Sequence, residues 1–465
     1  MVKKMDENLR KKDIKIIDGH MNYFGYDLEK IANEYGTPLR ITFLDIIKER
    51  VLNLKHVFDW VIKEENYQGK FIYLNANKAN YGALEVKEAL LNGDGLETSS
   101  YYDLSFSYDL VKKYGKDKYL FSNGFKDDNY LKEIIKVSND LNNYTCIIDS
   151  LDEYEYLKKN ASKINVGLRI HLPALYASDE EVVKNDRFGL MKDEIEYILD
   201  DLNNHKNMNL TTIHFHQRGF DYDKDKFMEN IDRCFLNFYV NTKKKYPSLI
   251  NFDIGGGTPL PTLYDFDYQM WAKCLIKHIK EICENNKIEE PNIISENGKY
   301  SMKDSTIDIY KVVGYKETDR NFKNPKNTKK FYPWYVLDGS LLIALPEMYA
   351  LGEEIVIKPI NNLNDEMVEA RLASITCDCD DIYFEEDKGY ILMPRKSNKA
   401  QYVACLGTGS YQNSMNGKGG VHHCMLPEEI DLVIYKKDGK DKYLLRSELQ
   451  SLNDIKKLIK YDLEK

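Results

Sequence analysis

Short apolar runs alternate with stretches of helical periodicity from about residue 71 to residue 296. A short apolar run between turn residues predicts a buried strand, whereas apolar positions spaced three or four apart predict an amphipathic helix. The predicted strands are 71–75, 95–98, 119–122, 145–149, 165–170, 211–216, 251–254 and 292–295. The predicted helices include 84–91, 127–139, 151–159, 192–202, 222–245 and 268–284. Eight strand–helix units predict an α/β fold, a (β/α)8 TIM barrel with its active site at the carboxyl ends of the strands.

After residue 300 the pattern changes to short β-type segments separated by Gly, Asn and Asp turns. This change predicts a C-terminal, mostly β domain. Its predicted strands are 307–315, 334–337, 354–357, 369–376, 401–406 and 429–436. A turn at residues 36–38 leads into the barrel. We therefore expect a barrel domain at residues 38–300 and a β-rich domain built from residues 1–37 and 301–465.

Composition narrows the classes of function. The 465 residues are 43% hydrophobic and 30% charged, and their net charge of −9 argues against a nucleic-acid partner. The most basic stretch, residues 320–330, contains Asn and Pro and predicts an exposed loop. No apolar run is long enough to span a membrane, and residues 1–15 lack the apolar segment of a secretory signal. Eight dispersed cysteines are typical of a reducing compartment, so we expect a cytoplasmic protein.

Lys78 is the most informative single residue of the chain. It comes directly after the first predicted strand and before a turn of small residues. A lysine at the carboxyl end of a barrel strand, held in a partly dry pocket, can attack an aldehyde such as pyridoxal phosphate. The alternative is a lysine that merely reaches solvent.

Two later strand ends also carry candidate chemistry. His214 and His216 end the sixth predicted strand, where both rings would lie on one face. They are either a metal-binding pair or a support for a flat cofactor ring. Gly255, Gly256 and Gly257 follow the seventh strand, where they either allow close backbone approach to a phosphate or form a flexible turn.

The eighth predicted strand ends in an acidic residue. Glu296 at the barrel mouth can pair with a protonated pyridine nitrogen, which makes the ring a stronger electron sink. Lys299 can then neutralise a phosphate. The alternative is that Glu296 and Lys299 are ordinary charged residues on the protein surface.

The β-rich domain contains three segments of possible chemical use. Cys377 beside Asp378 is suited to proton transfer at a carbanion, while the pair Cys377 and Cys379 could instead bind a metal ion. Tyr411 lies on a Gly-rich turn, where its phenol could bind a phosphate oxygen. Residues 422–424, His-His-Cys, have no assigned role.

In this order, the segments resemble the fold-type III pyridoxal phosphate decarboxylases, the alanine-racemase-like barrel group of ornithine, arginine and diaminopimelate decarboxylases. The resemblance runs from about residue 36 to the C-terminus and includes residues 95–100, 123–126, 167–169 and 187–190. It implies an amino-acid carboxy-lyase with pyridoxal phosphate as cofactor and no catalytic metal. The implied cofactor contacts are Lys78 as carrier, His216 stacked on the ring, Glu296 at the ring nitrogen, and Gly255, Gly256, Gly257, Lys299 and Tyr411 near the phosphate.

The resemblance also implies a homodimer with shared active sites, in which Cys377 and Asp378 complete the site of the neighbouring subunit. The sequence departs from the family pattern at three places. The Gly-Ser expected after the stacking histidine is Arg218-Gly219, Asn297 replaces a proline, and Lys299 replaces an arginine. These changes put the affinity for the cofactor in doubt.

Substrate choice depends on the segment that follows Asp338. Diaminopimelate decarboxylases carry an arginine before a proline here to hold the distal carboxylate, whereas this chain has Leu345-Pro346-Glu347. The segment is similar to biosynthetic arginine decarboxylases, in which Asp338 with Asp380 or Asp381 would pair with a guanidinium. We therefore expect decarboxylation of arginine to agmatine and CO2, a step of polyamine biosynthesis, with diaminopimelate to lysine as the alternative.

Two further hypotheses remain open at this point. One is a metal-dependent barrel hydrolase that uses His214 and His216. The other is a catalytically silent relative that regulates an active decarboxylase, which the changes at Arg218 and Lys299 keep open.

Overall fold

The computed structural model describes residues 13–171, 187–216, 224–260, 266–317 and 331–461. Within 224–260, the side chains are described from residue 227 onward. The chain divides into two compact units. The barrel unit is Ile47–Ser301, and the β-rich unit is Met1–Ile46 together with Met302–Lys465. The predicted α/β fold with a mostly β second domain is confirmed.

Eight parallel strands close the barrel, each hydrogen-bonded to its neighbours in chain order, and the eighth strand pairs with the first. The strands are Phe71–Ala76, Gly95–Thr98, Tyr119–Ser122, Tyr144–Ile148, Ile164–Arg169, Met208–His214, Asn251–Asp253 and Asn292–Asn297. Most of their residues are buried, as expected of parallel strands covered on both faces. The barrel interior includes a packed cluster of Ile72, Leu74, Phe121, Ile147 and Ile294.

Polar caps define where several barrel helices begin. Ser100, Asp127, Ser150 and Asp267 each accept a hydrogen bond from the backbone N–H three residues later, which satisfies a donor that the helix leaves unpaired. The helices are Leu44–Glu64, Ala83–Asn92, Tyr101–Tyr114, Asp128–Asp140, Leu151–Asn160, Lys192–Leu202, Lys224–Cys234, Val240–Lys245, Tyr268–Asn286 and Lys299–Met302. The predicted helix 222–245 contains a π-helical turn at Phe235–Tyr239, and its residues 222–223 lie outside the described residues.

The β-rich unit contains a ten-stranded sheet among its described residues. Its strands are Leu39–Phe43, Thr306–Lys316, Trp334–Leu337, Val356–Pro359, Met367–Ser374, Ile382–Tyr383, Ile391–Pro394, Tyr402–Leu406, Ile430–Lys437 and Lys440–Ser447. A small sheet of Ile14–Ile17, His20–Tyr23 and Tyr26–Asp27 precedes the helix Leu28–Tyr35. The later helices are Leu341–Ala344, Pro346–Leu351, Gln412–Asn416 and Leu452–Leu458.

The strand Leu39–Phe43 explains why the observed boundary between the units differs from residue 38. It pairs with Thr306–Lys316 and Ile430–Lys437, so it belongs to the β-rich sheet although the expected barrel domain included it. Its leucine, isoleucine and phenylalanine pack in the core of that unit. An apolar run predicts a strand but not its partner, and therefore the sequence placed this segment in the wrong domain.

No helix among the described residues combines the length and the apolar character needed to cross a membrane. The predicted exposed loop at residues 320–330 lies outside the described residues.

Candidate functional site

Lys78 lies in a single 3-10 turn, Asn77–Ala79, directly after the first barrel strand. Its Nζ is 3.4 Å from Oε2 of Glu97, at the second strand. The Lys78 side chain is 39% exposed, while the Glu97 side chain is completely buried. The amine is therefore accessible from solvent and faces a fixed carboxylate at the carboxyl ends of the strands.

Asn123 connects two buried carboxylates. Its Nδ2 donates to Oε1 of Glu97 at 3.0 Å and to Oε1 of Glu296 at 2.7 Å. Glu296 lies on the last barrel strand, opposite Leu74 of the first. Because all three polar side chains are buried, the amide fixes both carboxylates on the same side of the barrel interior.

His214 extends this cluster to the seventh strand. Its Nδ1 is 3.2 Å from Oδ2 of Asp253 and 3.8 Å from Oε1 of Glu296. Burial lowers the pKa of His214 to about 4, and the positive charges of Arg169 and Lys78 act in the same direction. The imidazole is therefore neutral near pH 7.

Burial shifts the pKa values of the two acids in the cluster upward, opposite to the shift of His214. Burial raises the pKa of Asp253 to about 7, although the Gly255 N–H, which donates to Oδ1 at 2.9 Å, partly opposes this. Burial and the adjacent Asp253 carboxylate raise the pKa of Glu296 above its usual range. Two neighbouring buried carboxylates cannot both ionise without a compensating charge. The pair therefore retains a proton or binds a cation.

The triple glycine turns the chain away at the end of the seventh strand. Gly255 has a φ of +66°, and a Cβ there would lie 2.7 Å from the carbonyl oxygen of Phe215. A Cβ on Gly256 would lie 2.5 Å from the carbonyl oxygen of Glu296. Only glycine fits such close backbone approach. The N–H groups of Gly255 and Gly256 donate to Asp253 and His216.

His216 lies beyond the sixth strand, which ends at His214 and not at the predicted residue 216. The strand ends early because its neighbour ends at Asp253, before the left-handed Gly255. The expectation that both imidazoles share a strand face is therefore wrong. His216 accepts the Gly256 N–H through Nδ1 at 3.2 Å, which places its ring proton on Nε2 when the ring is neutral. Burial, with Lys78 and Arg169, lowers its pKa well below the usual range.

Arg169 provides a second positive charge at the strand ends. Its Nη1 is 3.1 Å from Oδ2 of Asp149, and its guanidinium stacks 4.6 Å from the ring of Phe188. Gly189 donates its N–H to the same aspartate. Sequence analysis named the segments of Glu97, Asn123 and Arg169 without assigning them roles. The signal that could have found them is a polar side chain at the end of a strand, which must be paired or functional in a barrel.

The remaining predicted barrel residues lie near these groups in sequence. Lys299 begins the short helix Lys299–Met302 after the eighth strand and is half-buried. Asn297, the replacement for proline, donates from Nδ2 to the carbonyl oxygen of Ser295 at 3.3 Å. Arg218 and Gly219 lie outside the described residues.

Cys377 and Asp378 occupy an exposed turn of the β-rich unit. The Cys377 Sγ is 3.5 Å from Sγ of Cys424, and Oδ2 of Asp378 is 4.0 Å from Nε2 of His423. The contact with the Cys424 thiol raises the pKa of Cys377. Cys379 is exposed and is absent from the cluster of possible metal ligands found among the described residues here.

The three candidate aspartates differ in their surroundings. Asp338 is half-buried, and its carboxylate accepts from the Thr37 hydroxyl at 2.6 Å and from the Lys311 N–H at 2.8 Å. Burial raises the pKa of Asp338. Asp380 is exposed. Asp381 is buried and accepts four hydrogen bonds, from the hydroxyls of Ser340, Ser374 and Thr376 and from the Leu342 N–H. The suggestion that Asp381 binds a guanidinium is therefore wrong, because its oxygens hold the turn together.

Tyr411 adopts a left-handed conformation with a φ of +59° at the start of the helix Gln412–Asn416. The next side chain, Gln412, donates to Oε2 of the buried Glu347 at 3.1 Å. Leu345, at the position considered for substrate choice, is completely buried. The segment 345–347 therefore contains an apolar and an acidic side chain, and it lacks the arginine that a diaminopimelate decarboxylase would be expected to carry there.

Comparison with known proteins places these residues in a family. A family model described as pyridoxal-dependent decarboxylase, pyridoxal binding domain, matches residues 47–303, more than half of the chain. A biosynthetic arginine decarboxylase of Prochlorococcus marinus is 26% identical over 322 residues, which cover 64% of this chain and 49% of that protein. One from Bacteroides thetaiotaomicron is 24% identical over 62% of this chain and 49% of its own length. The chain thus spans about half the length of the curated relatives that it matches.

Solved structures show the same fold over nearly all of the chain. A biosynthetic arginine decarboxylase from Campylobacter jejuni superposes with a TM-score of 0.82 at 19% identity, over 98% of this chain and 90% of that one. A diaminopimelate decarboxylase from M. jannaschii superposes with a TM-score of 0.78 at 20% identity, over 97% of both chains. These low identities establish the fold alone.

The residues fit the cofactor that the family implies, pyridoxal phosphate. The buried acids Asp253 and Glu296 have raised pKa values and would be stabilised by a cationic ring nitrogen. Lys78 supplies an amine at the same ends of the strands. By contrast, His214 and His216 have separate partners, and the buried cluster of possible metal ligands among the described residues contains only the former.

Proposed function

Because the chain belongs to the pyridoxal-dependent decarboxylase family, we propose that it is a carboxy-lyase that removes the α-carboxylate of a basic amino acid. Arginine is the substrate that we favour, with agmatine and CO2 as products. The observation that carries this proposal is the position of the Lys78 amine 3.4 Å from Glu97, within a set of strand ends that also holds Glu296. An amine and a proton-holding acid are the two protein groups that this chemistry requires.

Bound pyridoxal phosphate supplies an electron sink for the electron pair that remains at Cα when the carboxylate leaves. Lys78 would carry the cofactor. Glu296 would hold a proton at the ring nitrogen, and Asn123 fixes the direction of that carboxyl group. His216, which accepts the Gly256 N–H, would support the ring. The groups that would hold the phosphate are Gly255, Gly256, Gly257, Lys299 and Tyr411.

We assign the return of a proton to Cα to Cys377, with Asp378 beside it. In this proposal the two residues act in the site of a neighbouring subunit, so the active form is a homodimer with shared sites. The eight cysteines are free thiols in the structure, consistent with our proposal of a cytoplasmic location.

The choice of arginine is supported by the charges near the substrate-selecting segment. Leu345 is buried and cannot hold a distal carboxylate, while Glu347 adds a buried acid two residues later. Asp338 and Asp380 are the carboxylates that we propose for the guanidinium. Asp338 accepts two hydrogen bonds but retains lone pairs, because a carboxylate has about four acceptor sites. The curated relatives carry the name of arginine decarboxylase.

The test is a competition among four substrates. Protein loaded with pyridoxal phosphate is incubated with arginine, ornithine, lysine and meso-diaminopimelate together, and the products are identified by mass spectrometry. We expect agmatine from the native protein and none from Lys78→Ala. Lysine enriched from diaminopimelate would overturn the substrate while it retained the reaction. No loss of any substrate, with the cofactor bound, would favour the catalytically silent relative.

A second test addresses substrate recognition. Asp338→Asn removes the negative charge but retains an acceptor for the Thr37 hydroxyl. If Asp338 binds the guanidinium, we expect KM for arginine to rise about tenfold, the effect of one lost charge-assisted hydrogen bond, with kcat little changed. Thr37→Val is the matched control, because it removes the Thr37–Asp338 hydrogen bond and leaves the negative charge of Asp338. An equal KM for the native protein and Asp338→Asn would remove Asp338 from this role.

A further inference from the structure

We propose that Cys377, His423 and Cys424 form a binding site for a soft divalent metal ion, with zinc as the best match, on the surface of the β-rich unit. The two thiols are exposed and 3.5 Å apart, and one ligand atom from each of the three residues lies within 4.8 Å of the others. Cysteine and histidine are the ligands that zinc prefers in proteins. No sequence motif assigns a role to residues 422–424.

The separation of the two sulfur atoms is suited to a shared metal ion. Zinc–sulfur bonds of about 2.3 Å at tetrahedral angles place two thiolates roughly 3.8 Å apart. The observed distance of 3.5 Å needs only a small adjustment. Both sulfur atoms can therefore bind one ion without a large movement of either turn.

The surroundings of the cluster also favour a cation. Oδ2 of Asp378 lies 4.0 Å from Nε2 of His423, so a negative charge is next to the proposed ligands. It can orient the imidazole, as carboxylates do beside metal-bound histidines. Zinc binding would release both S–H protons and form two S–Zn bonds.

Two turns from distant parts of the chain bring the ligands together. One turn follows the strand Met367–Ser374 and is held by Asp381. The other is the 3-10 turn His423–Met425, where Cys424 has a φ of +56°. Cys379, the other member of the Cys-x-Cys pair, is not part of the described cluster. With three protein ligands, the site leaves a fourth position for water.

Metal binding has a consequence for catalysis, which rests on the proposed function. A Cys377 thiolate bound to zinc has lost the proton that it would return to Cα. Zinc should therefore inhibit decarboxylation, and a chelator should reverse the inhibition. The binding of zinc itself does not depend on any enzymatic activity.

Zinc affinity of the full-length, cofactor-loaded protein is measured under reducing conditions by competition with a chromophoric chelator. We expect one zinc ion per chain, and a loss of affinity of at least roughly 100-fold in both Cys424→Ser and His423→Ala, since loss of even an outer partner of a metal ligand costs 10- to 100-fold. Cys379→Ser is the matched control, because that thiol is exposed in the same turn, and it should retain native affinity. Equal affinity in Cys424→Ser and the native protein would overturn the site.

Two additional readouts make the test specific. Cobalt in place of zinc should give thiolate-to-metal absorption that disappears in Cys424→Ser, and a lack of such absorption in the native protein would exclude the thiols as ligands. Cys424→Ser should resist inhibition by zinc, which is measured as the ratio of its own activities with and without zinc. Inhibition of this variant at the native zinc concentration would overturn the link to catalysis. If the protein decarboxylates none of the amino acids tested, the proposed function fails while the zinc titration still decides the metal site.

Discussion

The Nζ of Lys78 is 3.4 Å from Oε2 of Glu97, and the two side chains differ sharply in exposure. Glu97 is completely buried and is fixed by Asn123, whereas Lys78 is 39% exposed. The carboxylate therefore orients an amine that solutes can still reach. This arrangement leads to the first prediction.

Lys78 should be the site of covalent cofactor attachment. After incubation with pyridoxal phosphate and reduction with borohydride, we expect mass spectrometry of a digest to place the adduct on the peptide that contains Lys78. Lys78→Ala should remove it. Lys70→Ala, an exposed lysine just before the same strand, should leave it in place. Undiminished total incorporation into Lys78→Ala would contradict the assignment.

Asn123→Ala should destabilise the barrel and disturb Glu296. It removes hydrogen bonds to two buried acids, and a hydrogen bond contributes about 1 kcal/mol when its partner is neutral and about 1.5–3 kcal/mol when its partner is charged. We expect the free energy of unfolding, measured by urea denaturation, to fall by about 3 kcal/mol. Asn160→Ala, which removes an exposed bond to the carbonyl oxygen of Tyr156, should be nearly neutral. Equal losses of unfolding free energy in the two variants would show that the buried hydrogen bonds of Asn123 contribute no more to stability than the exposed one of Asn160.

Stability of the cofactor-free protein should fall as pH rises through 7. Asp253 has an unfolded pKa near 3.8 and a folded pKa of about 7, so the folded state binds more protons between these values. Its contribution is fully present below the unfolded pKa and is lost as pH rises through the folded pKa, with a slope of at most about 1.4 kcal/mol per pH unit. His214 contributes little above its ordinary pKa of 6.5.

Asp253→Asn is the variant that tests this linkage. Its side chain stays neutral, and therefore the decline in stability between pH 6.5 and pH 8 should become smaller than in the native protein. The measurement is urea denaturation at several pH values. Parallel curves for the two proteins would mean that Asp253 does not take up a proton on folding.

Asp381→Asn should destabilise the β-rich unit. The substitution replaces an acceptor oxygen that binds two hydroxyls or a hydroxyl and an N–H, so we expect a loss of about 3 kcal/mol in the free energy of unfolding. Asp380→Asn is the matched control, because Asp380 is exposed, and it should change stability by less than about 0.5 kcal/mol. Urea denaturation compares the two variants, and the opposite ranking would contradict the assignment of Asp381 as a structural residue.

Shared active sites predict complementation between inactive variants. Lys78→Ala and Cys377→Ala should each have little activity as purified homodimers. After subunit exchange in an equal mixture, about half of the dimers are mixed, and each mixed dimer contains one intact site of its two. The mixture should therefore recover up to about one quarter of the native activity. Subunit exchange is verified by differently tagged chains. If mixed dimers form without any recovery, each site is complete within one subunit.

The barrel could be predicted from sequence because short segments rich in apolar residues alternate with stretches of helical periodicity. Phe71–Ala76 and Gly95–Thr98 lie within one residue of their expected bounds. His216 was misplaced because a turn at Gly255 ends the neighbouring strand, and this long-range effect leaves no local signal. The strand Leu39–Phe43 was placed in the wrong domain for a similar reason.

The candidate site was predictable only where motifs are local. Lys78 and Glu296 could be found because they lie at the carboxyl ends of predicted strands. Asn123 joins carboxylates on two other strands, and Cys377 meets Cys424 from 47 positions away in the chain. Such contacts depend on how the whole sheet folds, and no spacing along the chain indicates them.

The hydrogen bonds of Asp381 separate two kinds of position in one short loop. The carboxylate closes the loop by binding Ser374 and Thr376 before the exposed stretch that begins at Cys377. The donors to the Asp381 carboxylate all lie outside that stretch, so a change of the Cys377 or Cys379 side chain removes none of these hydrogen bonds. The exposed thiols can therefore be modified chemically while the hydrogen bonds that shape the loop remain.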